Sequence, residues 1–136
     1  MPARSTIRMM QLLLAVAAVA STSASAAEST KVTPLLSRDL TGIAGKEGAM
    51  MTVEYAPGAV DPIHRHNAHV FVYVLEGSVV MQVRGAAPVT LRPGQTFYEG
   101  PDDIHLVGRN ASRTKPAKFL AVLIKDKGAP VVAPAQ

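Results

Sequence analysis

Residues 58–77, Gly58-Ala-Val-Asp-Pro-Ile-His64-Arg-His66-Asn-Ala-His69-Val-Phe-Val-Tyr-Val-Leu-Glu-Gly77, decide the fold. Two histidines at i and i+2 share one face of an extended strand, because side chains alternate along it. Behind them Val70 to Leu75 is β-branched, aromatic or leucine throughout, and Glu76-Gly77 ends it in a turn. Similar short apolar runs, broken by Gly, Pro and Asp, lie on both sides: Val32 to Leu36, Ala49 to Ala56, Ser78 to Arg84, Val89 to Leu91, Gln95 to Glu99, His105 to Val107 and Lys118 to Lys125. That makes about eight strands with turn signals every eight to twelve residues, the pattern of an all-β sandwich or barrel. No convincing amphipathic helix interrupts them.

The chain begins differently. Met-Pro-Ala-Arg-Ser-Thr-Ile-Arg precedes an apolar run from Met9 to Ala20 and a small-residue stretch from Ser21 to Ala27. A basic start, a short apolar segment and a small-residue cleavage site read as a secretory signal peptide. Ala24-Ser25-Ala26 fits the A-x-A rule, so cleavage is expected after Ala26, with Ala27 the alternative. The run is short for a membrane span; an uncleaved anchor is the competing reading. The expected organisation is a signal peptide over 1–26, one β-domain over 27–127 and a flexible Pro/Ala/Val-rich tail over 128–136. The expected location is the periplasm or the outside of the cell, with no stable membrane anchor after cleavage.

The mature piece of about 110 residues is enough for one modest core. The chain carries 14 basic and 10 acidic residues, and loss of Arg4 and Arg8 with the signal leaves an excess of +2. No Lys/Arg cluster remains and aromatics are few, so a nucleic-acid partner is not expected. There is no cysteine, which excludes a thiol nucleophile, a Cys-ligated metal and disulfide support. The valine-rich strand at 70–75 is apolar on both faces. Either a second sheet of the same domain covers its far side, or a second copy does, making a homodimer.

His64 and His66, joined by His105 from a distant strand, can converge on a metal, since neutral imidazole is its commonest ligand. Along a regular strand His69 points away from that pair. A β-bulge between residues 66 and 70 would turn it inward as a fourth ligand. Glu99, on the strand before His105, is a carboxylate that could complete the shell, orient a ligating histidine or cap a turn. Tyr73 and Tyr98 could offer hydroxyls to a pocket. Asp102-Asp103 reads as a solvated turn, and Arg65 should point away from the metal towards solvent. Met50, Met51 and Met81 read as strand core. Neither a phosphate loop nor a G-x-S-x-G elbow is present.

These residues, in this order, resemble the cupin superfamily. Gly58, His64, His66 and Gly77 follow its first motif, G-x5-H-x-H-x3–4-E-x6-G. Gly85, Pro93-Gly94, His105 and Asn110 follow its second loosely. The resemblance covers Gly58 to Asn110 and implies a small jelly-roll β-barrel with a metal in its mouth. It implies His64, His66 and His105 as ligands of one divalent transition metal: iron, nickel, copper, manganese or zinc. Counting back from Gly77 puts Val70 where the family usually has a ligating glutamate, and valine cannot bind a metal. Asn110 lies one residue beyond its usual place and is given no role. The expected function is a metal-dependent enzyme of dioxygenase type acting on a small molecule. The alternative is a non-catalytic module that binds a small molecule or a metal.

Overall fold

The computed structural model describes residues 29–135; the signal-peptide reading falls outside them. Among the described residues, ten strands form two five-stranded antiparallel sheets. The first sheet contains β1 (Thr30–Asp39), β2 (Lys46–Tyr55), β4 (His69–Glu76), β7 (Thr96–Glu99) and β9 (Ala117–Asp126), in the order β1-β2-β9-β4-β7. The second contains β3 (His64–Arg65), β5 (Val79–Val83), β6 (Val89–Leu91), β8 (His105–Asn110) and β10 (Ala133–Pro134), in the order β10-β3-β8-β5-β6. The described residues contain no helix. This is the expected all-β jelly-roll architecture, with two short strands, β3 and β10, that no periodicity announced.

Alternation builds the core. β2 turns Ala49, Met51, Val53 and Tyr55 inward; β4 contributes Val70, Val72 and Val74, and β9 adds Ala117, Phe119, Ala121 and Leu123. From the second sheet come Val79 and Met81. Val74 and Val79 are completely buried, and each contributes about 1.5–3 kcal/mol of transfer free energy. The hairpin between β4 and β5 turns on Gly77. Its φ is +66°, and a β-carbon there would lie 2.4 Å from the Pro116 carbonyl oxygen, so both conformation and space demand glycine.

The second sheet covers only the inner face of β4. On the outer face Phe71, Tyr73 and Leu75 remain 47%, 46% and 40% exposed, so the described residues do not bury that side themselves. The end of the chain departs from the loose tail expected over 128–136. Ala133 and Pro134 pair with Arg65 and His64, and Val131 packs against the core. β3 offers a short open edge, and the last residues satisfy its backbone groups.

Candidate metal centre

His64 in β3 and His66 just beyond it stand on the same side, and the ladder sets His64 directly opposite His105 on β8. The ring centroids of His64 lie 4.7 Å from His66 and 4.8 Å from His105. One nitrogen from each of the three comes within 4.8 Å of the others. Residues 66 to 70 keep their parity. Ala68 and Val70 are buried while Asn67 and His69 are exposed. Asn67 takes a left-handed φ of 50° as β3 gives way to β4.

Backbone carbonyls fix the tautomers. His64 Nδ1–H donates to the Pro62 carbonyl at 2.8 Å, and His66 Nδ1–H donates to the Val131 carbonyl at 2.7 Å. A carbonyl can only accept, so each ring carries its hydrogen on Nδ1 and presents a bare Nε2 lone pair. Those two Nε2 atoms stand 3.1 Å apart. Facing lone pairs repel at that separation unless a cation lies between them. Ligands about 2.1 Å from one ion sit about 3.0 Å apart at right angles and about 3.4 Å at the tetrahedral angle. Both nitrogens of His105 are buried without a hydrogen-bond partner, as is Oε2 of Glu99. Native proteins seldom leave such groups bare. The donor set therefore fits a divalent transition metal, with the two carbonyls as the outer partners that orient the rings.

The electrostatics agree. Burial and the neighbouring imidazoles push His105 down to about 4, and burial also lowers His66, so both rings are neutral and ready to ligate near neutral pH. Glu99 is pushed up to about 7, chiefly by burial and secondly by the charge of Asp103.

The histidines line one wall of a cavity of about 190 Å³. That is smaller than the roughly 300 Å³ typical of sites for drug-sized ligands. Val53, Val70, Val72 and Leu123 make much of the remaining wall apolar. A polar corner of Thr30, Tyr55 and Asp61 faces them. The Tyr55 hydroxyl donates to Asp61, whose other oxygen accepts from the Thr30 hydroxyl at 2.7 Å. Burial and the Asp61 charge raise Tyr55, so its phenol stays protonated. The cavity can thus hold a small molecule against the histidines and offer it the Tyr55 hydroxyl oxygen as an acceptor.

Several expected residues lie elsewhere. His69 points outward, where Nδ1 meets the Tyr98 hydroxyl at 2.7 Å, because β4 has no bulge at its start to reverse the alternation. It is not a fourth ligand. Tyr73 and Tyr98 are half exposed on the same outer face and do not reach the cavity. Val70 does line it. Arg65 points away from the histidines but is not free in solvent: its guanidinium donates to the Pro101 carbonyl at 3.2 Å. Asn110 is a structural clasp, donating to the carbonyls of Tyr55, Ala56 and Lys115 and accepting from Ser112 N–H. Sequence reasoning missed Tyr55, Asp61 and Val131. Asp61-Pro62 was a visible turn signal, but nothing marked its carboxylate as facing inward.

Residues 51–123 match the cupin domain family, Cupin_2. No curated protein sequence matches the chain. Among solved structures, the chain is similar to the DMSP lyase DddQ from Ruegeria pomeroyi DSS-3, at 22% identity and TM-score 0.58, over 65% of this chain and 43% of that one. It is similar to an oxalate oxidase in complex with the substrate analogue glycolate, at 23% identity and TM-score 0.59, over 77% and 54%. A cupin-2 domain protein from Rhodospirillum rubrum matches at 18% identity and TM-score 0.60, over 79% and 66%. The chain spans less than half the length of the DMSP lyase. At these identities the likeness speaks for the fold alone.

Proposed function

The chain belongs to the cupin domain family, and from that premise we propose that it holds one divalent transition metal on His64, His66 and His105 and acts on a small molecule in the adjoining cavity. The observation that carries this reading is the meeting of three imidazoles, two buried and that of His66 partly so, whose free nitrogens converge without a hydrogen bond outside the cluster. A bound iron, nickel, copper or manganese would supply the redox chemistry of an oxygen-dependent oxidation, the dioxygenase type; zinc would supply Lewis-acid chemistry instead. The protein contributes the rest. Pro62 and Val131 hold the rings in register, the valine-lined wall excludes water, and the Tyr55 hydroxyl is placed to bind a polar group of the substrate. The cavity volume favours compact substrates such as small thiols and diketones.

The test begins with elemental analysis of protein 27–136 purified without a histidine tag. About one equivalent of metal is expected, lost in His64→Ala and His105→Ala and kept in His69→Ala. Metal absent from the wild type and not taken up on soaking would end the reading. Oxygen uptake with the metal-loaded protein across small thiols and diketones then tests the reaction class. The second reading, a module that captures a metal or small molecule without turnover, is favoured by the sparsely polar cavity wall. It is supported if ligands bind and no oxygen is consumed. We propose in addition that residues 1–26 export the protein to the periplasm, on the basic start, apolar run and A-x-A site of the sequence. The intact mass of the exported protein checks this.

A further inference from the structure

Glu99 carries a property that the three-histidine reading leaves unused. It is 2% exposed, at the end of β7, and it faces the histidine wall of the cavity. Oε1 approaches His105 Nδ1 to 3.1 Å and Oε2 approaches His66 Nε2 to 3.5 Å. Neither approach is a hydrogen bond: His105 Nδ1 and Glu99 Oε2 both remain without a partner. A carboxylate that merely oriented His105 would accept its N–H in line. Here the oxygens stand beside the nitrogens at separations close to those of atoms sharing one metal ion. An unpaired buried carboxylate is costly, and a cation in its reach removes the cost.

The ladder explains how it came to lie there. Val70 and Glu99 are directly opposite each other in the β4–β7 pairing. Directly opposed residues have β-carbons about 5 Å apart on one face of the sheet. A glutamate spans that distance with its two methylenes, so a carboxylate on β7 can serve a site that β4 leaves without one.

We propose that Glu99 is the fourth protein ligand of the metal, delivered from β7 across the strand pair from Val70. The proposal rests on the three-histidine reading. It changes the site's character: the ion and its ligands together carry one positive charge fewer, and a hard oxygen joins three nitrogens, which shifts selection towards iron and manganese. It also weakens the pull on anionic substrates relative to a three-histidine site.

The experiment titrates Co²⁺ into the metal-free protein and records both the affinity and the visible absorption, whose intensity and position report coordination number. Wild type, Glu99→Gln, the exchange variant Val70→Glu/Glu99→Val, and His64→Ala are compared, each checked by circular dichroism for folding. Glu99→Gln is expected to weaken binding tenfold or more and to alter the cobalt spectrum. The exchange variant is expected to recover most of the affinity, which a residue serving only to pack or orient would not achieve. Wild-type affinity and spectrum in Glu99→Gln would overturn the proposal, as would weaker binding with an unchanged spectrum; in both cases loss of cobalt in His64→Ala would leave the three-histidine site standing. Failure of the wild type to bind cobalt would overturn both.

Discussion

A β-carbon on Gly108 would stand 3.1 Å from the Tyr55 hydroxyl and 3.2 Å from Cε1 of His105. Both neighbours are held in place, Tyr55 by its bond to Asp61 and His105 by its place in the strand ladder, so either could yield only by moving into the cavity. Gly108→Ala should therefore cost about 1–3 kcal/mol through overpacking and displace His105 enough to weaken metal binding. Thermal melts of the metal-free protein and a cobalt titration measure the two effects separately. At this scale the sequence was a good guide to the imidazoles and a poor one to their surroundings. His64, His66 and His105 stood out by type and spacing. Tyr55 looked like any strand aromatic. Val131 acts through its carbonyl, which every residue possesses, so no side chain could announce it. His69 was undecided until the backbone between Asn67 and Val70 fixed which way it faced.

Among the elements, β3 and β10 are the shortest, and they carry much of the site. β3 carries His64 and leads directly into His66, and β10 holds β3 from outside while the residues before it bring the Val131 carbonyl to His66. Lys125 anchors the turn that starts this segment. Its buried ammonium donates to the Glu47 carboxylate and to the Ala129 carbonyl at 2.6 Å. Ending the chain after Gly128 should leave the barrel folded but free the His66 ring and uncover the cavity. Metal affinity is expected to fall roughly tenfold, the loss of one well-placed outer partner. Isothermal titration of the truncated protein decides; unchanged affinity would mean that Val131 is a bystander. Long strands such as β4 and β9 were legible because their β-branched and apolar runs extend over most of eight or ten residues. A two-residue strand has no period to read, and an Ala/Pro/Val-rich end looks like a tail whichever edge it meets.

For the whole molecule, the register aligns Leu36, Met50, Val122, Phe71 and Tyr98 in one row across the outer face of the first sheet. At the edge of this face Glu54 and Lys118 neutralise each other at 3.0 Å. An apolar centre with this charge pair neutralised at its rim suits an isologous contact, and a second copy of this chain is the expected occupant. Light scattering should show a dimer, and Phe71→Glu should give a monomer with metal content unchanged; a monomeric wild type at high concentration would refute it. The metal should also act on the fold globally. At a hundredfold excess over its dissociation constant, an ion that binds only the folded state adds about 2.7 kcal/mol. Chelation is then expected to lower the melting temperature by on the order of 10 °C. Equal melts with and without chelator would argue against a tightly held ion. The hydrogen bond from His66 to Val131 closes a loop of 65 residues, and this bears on the order of synthesis. While the chain is still emerging, or still threading through a pore, His66 has no carbonyl to fix its tautomer. The cluster gains its full complement of contacts only after the late residues have arrived. On the proposed reading, a metal would be acquired by the finished barrel, in whichever compartment the barrel is finished, and the ions available there would decide which one it holds.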